Sequence, residues 1–234
     1  MKQWRSLFTS ELPIIVEVPK NDIEIVKAVI EGGADAVLLS VLSQKNQYMT
    51  GGVEEEMENI NQIASEVSAK KGLMLGDLRS IERSEWEILK NLKIDFLAGY
   101  PNYIPPFVLR DEVFPIMLYA PTGMPLDFYR VLSELSGVES LVFYPRSQST
   151  EEVKYNILDM VGFMLVYRSV SKPVLFKVAS GIEPDDLIEL ADRGASGFVL
   201  DPSLTGSVDA DYFRSFTQKF KGSLSARRKF RFWS

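Results

Sequence analysis

The 234-residue sequence contains no cysteine and no histidine. Without cysteine there is no disulfide, no thiolate nucleophile and no sulfur-ligated metal. Without histidine there is no imidazole general base, no Ser-His-Asp triad and no His-ligated zinc. Any chemistry therefore falls to Lys, Asp, Glu, Tyr, Ser or Arg. Long apolar runs are missing as well. None approaches the ~18 residues of a membrane span, and the opening MKQWRSLFTS has no apolar stretch of signal-peptide length. These absences set the expectation of a cytoplasmic protein. Positive charge is in deficit, with 26 Lys and Arg against 32 Asp and Glu and a formal net charge of −6. That balance argues against nucleic acid as the main partner.

The chain is organised around residues 173–207. Val174, Leu175, Phe176 and Val178 form an almost continuous apolar run, as expected of a parallel strand covered on both faces. After a Ser-Gly turn, Pro184 suits the first position of a helix, where a missing N–H costs nothing. Asp185 and Asp186 suit the positive end of its dipole. Leu187, Ile188, Leu190 and Ala191 supply its apolar face, and Gly194 ends it. A second apolar strand follows and runs into a Ser/Thr/Gly loop.

The same alternation covers the rest of the chain. Strands are expected at Pro13–Val18, Ala36–Leu39, Leu73–Leu75, Asp95–Ala98, Phe114–Tyr119 and Ser140–Phe143. Helices are expected from a capping box at Asn21 and Glu24, at 53–70, at 82–91, at 125–135, from a Ser149–Glu152 cap to Arg168, and from Ser207 to Gly222. GGADAVLL, LKIDFLAG, SGVESLVF and RGASGFVL echo one another before alternate strands. Eight strands in such repeated units predict a (βα)8 TIM barrel, a single domain over residues 1–234 with a short basic and aromatic C-terminal tail, ARRKFRFWS.

In such a barrel, strand side chains alternate between the interior and the helical layer, and polar residues at strand C-termini ring the active-site mouth. That ring comprises Glu17, Ser40, Asp77, Arg79, Tyr119, Tyr144, Arg146, Lys177, Ser180, Asp201 and Ser203. Lys177, inside an apolar strand, is expected to point inward, where desolvation would lower its pKa and make it an amine nucleophile or base. The structural alternative is an ion pair with Glu17 or Asp201. Glu17 and Asp77 are candidate acid/base groups, or ligands of Mg²⁺ together with Asp201, the alternative being caps for the next helix. Arg79 and Arg146 suit a substrate phosphate or carboxylate, or else a surface pair. Ser180 and Gly181 let backbone N–H groups approach an anion, with Ser203 and Ser40 as further contacts.

The segments KVASGI and GASGFVLDPSL resemble the last two strands of the phosphate-binding (βα)8 superfamily. Within it, IIVEV, GGADAVLLSVLS, LMLGDL and VASGI resemble motifs of indole-3-glycerol phosphate synthase. That resemblance implies an active-site Glu17, a phosphate at Ser180 and Gly181, and an acidic Asp77 after the third strand. The family's catalytic lysines are not matched: their positions fall on Pro19 and Gly76. Its glutamate before Ser-Gly is Ala179, and Asp201-Pro202-Ser203 replaces its second phosphate motif. The start of the chain is similar to geranylgeranylglyceryl phosphate synthase, without that family's glycine-rich phosphate motifs.

The sequence thus points to a small-metabolite enzyme of lyase, synthase or isomerase type, acting on a phosphorylated or carboxylated substrate without a redox cofactor. Lys177, Glu17 and Asp77 would be catalytic, and Ser180, Gly181, Ser203, Arg146, Arg79 and Ser40 would bind the anion. A homo-oligomer is compatible with the sequence. Two alternatives stand beside this reading: a barrel without catalysis serving as a binding or assembly protein, and a nucleic-acid binder acting through the basic tail.

Overall fold

Ile14–Glu17 (β1) is followed by helix Ile23–Glu31 (α1) and strand Ala36–Val41 (β2). A small hairpin, Gln44–Lys45 (β3) and Tyr48–Met49 (β4), precedes helix Val53–Glu66 (α2) and strand Lys70–Leu75 (β5). Then come Arg83–Leu89 (α3), Phe96–Gly99 (β6), Pro106–Asp111 (α4), Ile116–Ala120 (β7), Leu126–Glu134 (α5) and Val138–Phe143 (β8). The chain continues through Ile157–Ser169 (α6), Val174–Lys177 (β9), Pro184–Asp192 (α7), Phe198–Leu200 (β10) and Ala210–Arg231 (α8). This computed structural model describes residues 12–45, 48–145, 155–178, 181–202 and 209–231.

The strands β1, β2, β5, β6, β7, β8, β9 and β10 close on themselves in that order, every neighbouring pair parallel. The architecture is a (βα)8 barrel. The strands read as apolar runs because both faces are covered. Outward residues such as Ile14, Val37, Leu73, Leu97 and Phe176 join the helices in one cluster, and inward residues such as Ile15, Leu38, Met74, Phe96 and Met117 form a second. Behind β9, Phe176 is wedged among Phe143, Phe163 and Tyr155, with ring centroids 5.5, 5.5 and 5.9 Å away.

The pairing register orders the interior. Stepping up one residue at each strand round the barrel carries Glu17 through Met74, Tyr119 and Lys177 and back to Glu17. These four form one layer drawn from alternate strands, the arrangement expected of a closed barrel of this shear. Ser40, Tyr100, Tyr144 and Asp201 lie in the layer above. Below come Leu38, Ala98, Val142 and Val199, then Ile15, Gly72, Met117 and Leu175. The lowest layer holds Ala36, Phe96, Ser140 and Gly197. A Cβ at Gly72 would collide with the Phe96 ring, so glycine there makes room for the large side chain beneath.

Several boundaries differ from expectation for physical reasons. The helix expected over 53–70 stops at Glu66, and Lys70 begins β5, anchored by Asp95, which takes the Lys70 ammonium at 2.8 Å and the Lys71 N–H at 2.9 Å. The cap of α1 is Asp22, accepting from Glu24 N at 2.9 Å; Asn21 is engaged elsewhere. The loop after β6 contains α4, started by Pro105-Pro106. Helix α8 does not end at Gly222. Nothing lies within 4 Å of where its Cβ would be, and the helix runs on to Arg231 through much of the expected tail. A mid-helix glycine weakens a helix by only about 1 kcal/mol, and Phe220 and Leu224 on either side are buried. The expected caps Ser149, Glu152 and Ser207, and tail residues Phe232 and Trp233, lie outside the described residues.

Candidate functional site

The two uppermost layers hold the barrel's inward-facing charge. Lys177 ends β9, and its Nζ lies 2.9 Å from Glu17 Oε2 and 3.4 Å from Asp201 Oδ2. The Tyr119 hydroxyl donates to Glu17 Oε1. Glu17 is 0 % exposed and Lys177 4 %. The ammonium also faces the Tyr144 and Tyr119 rings, with centroids at 5.2 and 5.6 Å. Tyr100 packs against Tyr119 at 5.2 Å and Tyr144 at 6.4 Å. A lysine thus sits between two carboxylates under a collar of three phenols.

The electrostatics follow from that geometry. Burial opposes the charge on Lys177, but the Glu17 and Asp201 carboxylates overcome it and hold the pKa well above the ordinary lysine value. The expected lowering is therefore reversed, and the ion pair first weighed as a structural alternative is what forms. Burial raises the pKa of Tyr100, Tyr119 and Tyr144, and the neighbouring Glu17 charge adds to the effect. Near neutral pH the cluster holds an ammonium and three intact phenols. Both Glu17 oxygens accept hydrogen bonds, one from a phenol and one from the ammonium.

The position of Ser40 has its own support. Val18 N donates to Leu38 O at 3.2 Å, after which the chain leaves the sheet at Pro19 and Lys20. Asn21, two residues on, takes the place of the departed strand. Its Oδ1 accepts from Ser40 N at 3.0 Å, and its Nδ2 donates to Ser40 O and to Glu56 Oε2, both at 2.8 Å. Glu56 Oε1 in turn accepts from Gly51 N at 3.1 Å. Asn21→Ala should strip two buried backbone groups of their partner and lower stability by about 2 kcal/mol. The midpoint of urea unfolding measures this, and an unchanged midpoint would contradict the role.

The other expected site residues are scattered. Asp77 sits at the rim, its Oδ1 accepting from Gln44 N at 3.1 Å and so fastening the β3–β4 hairpin; its charge bears on Tyr100 and Tyr144. Arg79 is exposed and forks onto Glu85 at 2.7 and 2.8 Å, on the helical surface at the start of α3. Gly181 has φ +81°, a left-handed turn two residues before the Glu183 cap of α7. Arg146, Ser180 and Ser203 lie outside the described residues. Among the described residues no cluster of three or more His, Cys, Asp or Glu side chains is disposed to hold a metal ion. A separate cavity of 360 Å³ opens between α5 and α6, lined mainly by apolar side chains such as Met124, Leu126 and Leu165.

Tyr100 and Asn21 are the residues that sequence reasoning did not place at the site. Tyr100 continues the inward period of Phe96 and Ala98 by one step beyond the strand, which is a legible signal. Asn21 was read as a helix cap, and nothing local distinguishes that role from bracing a neighbouring strand.

Comparison with known proteins adds the fold. No protein-family model matches the chain, and no curated protein does. Solved structures do. Thiamine phosphate pyrophosphorylase from Pyrococcus furiosus is 18 % identical with a TM-score of 0.64, over 92 % of this chain and 96 % of that one. A variant tryptophan synthase alpha-subunit from Pyrococcus furiosus is 14 % identical with a TM-score of 0.66, over 92 % and 99 %. Phosphoribosyl anthranilate isomerase from Thermus thermophilus is 12 % identical with a TM-score of 0.63, over 90 % and 99 %. The chain is a (βα)8 barrel by these matches too. At such identities the likeness extends to the backbone and not to the side chains. Among the described residues no helix is long and apolar enough to cross a membrane.

Proposed function

We propose that the protein is a small-metabolite enzyme of lyase, synthase or isomerase type, working at the C-terminal mouth of the barrel on a phosphorylated or carboxylated substrate. The observation that carries this reading is the Lys177–Glu17–Asp201–Tyr119 cluster. Burying such a set is costly and seldom the cheapest way to stabilise a core. It sits at the barrel end where this architecture places its chemistry, and strongly perturbed groups mark functional sites. The names of two structural neighbours, thiamine phosphate pyrophosphorylase and phosphoribosyl anthranilate isomerase, contain phosphorylated metabolites and agree with the substrate class.

In this reading Lys177 acts as a cation. It holds the substrate's anionic or carbonyl oxygen and stabilises negative charge that develops there. Glu17 keeps the ammonium charged and in place, with Tyr119 fixing the second carboxylate oxygen. Asp201, on the same ammonium and one layer nearer the opening, is the carboxylate placed to exchange a proton with substrate. Asp77 bounds the rim. Gly181, with Ser180, Ser203 and Arg146 as the sequence suggests, would complete the anion site.

The test is a thermal-shift screen with inorganic phosphate and a panel of phosphorylated sugars and carboxylates, with and without Mg²⁺. A ligand at ~100 times its Kd adds about 2.7 kcal/mol of stability. The shift is expected to be kept or enlarged in Asp201→Asn, which removes a negative charge beside the bound anion and leaves the Lys177 cation in place. Borohydride added with a carbonyl ligand is expected to leave Lys177 unlabelled; a trapped adduct there would reassign the lysine to imine chemistry. If no anion shifts the protein, the enzyme reading fails and a non-catalytic binding barrel takes its place.

A further inference from the structure

Two hydroxyls in the barrel interior, Ser40 Oγ and Ser140 Oγ, are fully buried and find no hydrogen-bond partner among the described residues. Their residues are 1 % and 0 % exposed. A buried hydroxyl without a partner is destabilising, and each such group needs a physical account. The two stand at opposite ends of the bore. Ser140 pairs in register with Met117 and belongs to the lowest layer, beside Phe96. Ser40 pairs with Met74 and belongs to the uppermost layer, with Tyr100, Tyr144 and Asp201. It lies one step above the layer of Glu17, Met74 and Lys177.

We infer that the Ser40 hydroxyl is a substrate contact, a hydrogen-bonding group reserved for an oxygen of the ligand that also meets the Lys177 ammonium. This rests on the functional reading above and extends it to a residue with a defined role. Three observations converge. The hydroxyl has no partner among the described residues although it is buried at the polar end of the bore. The Ser40 backbone is gripped through both its N–H and its C=O by Asn21, which is itself braced by Glu56, so the side chain springs from a fixed point. Such bracing pre-organises a group for a ligand. The surrounding layer offers phenols, a carboxylate and, just beneath, a cation. The ligand class that satisfies this set is a small oxygen-rich anion, such as a hydroxy acid or a sugar phosphate, with its charge on Lys177 and a neighbouring hydroxyl or carbonyl on Ser40. Ser140, in the lowest layer with Ala36, Phe96 and Gly197, stands at the opposite end of the bore from Lys177 and serves as the internal control.

The experiment compares wild type, Ser40→Ala and Ser140→Ala. Unfolding temperatures are measured without ligand, and affinities with inorganic phosphate, glycerol 3-phosphate, glyceraldehyde 3-phosphate and lactate as probes. Without ligand, both variants should melt at or above the wild-type temperature, because an unpaired buried hydroxyl has been removed. With the probe that wild type binds best, Kd should rise about tenfold in Ser40→Ala, the worth of one hydrogen bond, and stay unchanged in Ser140→Ala. A lower melting temperature for Ser40→Ala would mean that the hydroxyl has a structural partner, and the inference falls. Equal affinity in wild type and Ser40→Ala would overturn it while leaving the functional reading intact. Equal weakening in both variants would also overturn it, since the effect would then be one of packing. If no probe binds wild type, this inference and the functional reading fall together.

Discussion

Lys177→Met is expected to destabilise the protein by about 3–5 kcal/mol at neutral pH, the usual cost of removing one partner from a buried ion pair. The substitution keeps the length and apolar stem of the side chain. What it takes away is the ammonium 2.9 Å from Glu17 and 3.4 Å from Asp201. Two carboxylates are left beside each other in a dry interior. Adding Glu17→Gln should recover part of the loss, because one of the two is then neutral, and the coupling between the sites measures their interaction. The pH dependence has a definite sign. The folded protein holds the Lys177 proton more tightly than the unfolded chain, whose lysine titrates at its ordinary 10.5. The contribution is thus fully present below about pH 10.5 and is lost as the pH rises through the folded value. The raised Tyr119 and Tyr144 phenols act in the same direction. Urea midpoints should be flat from pH 7 to about 10 and fall above it, less steeply in Lys177→Met. A variant as stable as wild type at pH 7 would show that the ion pair has no net worth.

Gly76→Ala is the second large effect, expected to cost about 3 kcal/mol or more. Glycine 76 follows β5 and is clamped against the segment after β2: its N–H donates to Val41 O at 2.9 Å, and Leu78 N donates to Leu42 O at 3.1 Å. A Cβ at this position would collide with the backbone carbonyls of Leu42 and Val41. Backbone cannot swing aside as a flexible side chain does, so the collision must be relieved by parting the two strand ends. Gly76→Lys should be at least as damaging. Urea denaturation gives the magnitude, and a loss below about 1 kcal/mol would show that the strand ends part freely. A lysine at this position, which the resemblance to indole-3-glycerol phosphate synthase would call for, finds no volume here; among the described residues Lys177 on β9 is the buried cation of the mouth.

The legibility of the molecule from its sequence divides along a physical line. Periodicity and turn chemistry are local, and they gave eight strands alternating with helices and the barrel they build. Lys177 could be assigned to the interior because its strand is otherwise apolar. The charge state of Lys177 could not, because it depends on carboxylates 160 and 24 residues away. Glu17 as a helix cap and Glu17 as a buried ion-pair partner look the same in the sequence IIVEV. Arg79 was expected in the ring at the barrel mouth, yet it lies beyond the end of β5, and Glu85, six residues on, draws it to the surface. The Asn21 brace depends on Pro19 and Lys20 carrying the chain out of the sheet before β2 ends, a matter of register between strands.

The closure of the barrel has a consequence for its synthesis. The last rung of the ring pairs residues 14–16 with 198–200, and α8 then packs against both α1 and α7. Contacts so distant along the chain are slow to form. As the chain leaves the ribosome, Glu17 emerges well before Lys177 and Asp201. Until β9 and β10 join, the carboxylate that will lie in the dry interior is a hydrated surface group on a partial sheet. It loses its water only when its counter-ion arrives. The contacts of Lys177 and Asp201 that complete the charged mouth therefore form only as the last two barrel strands join.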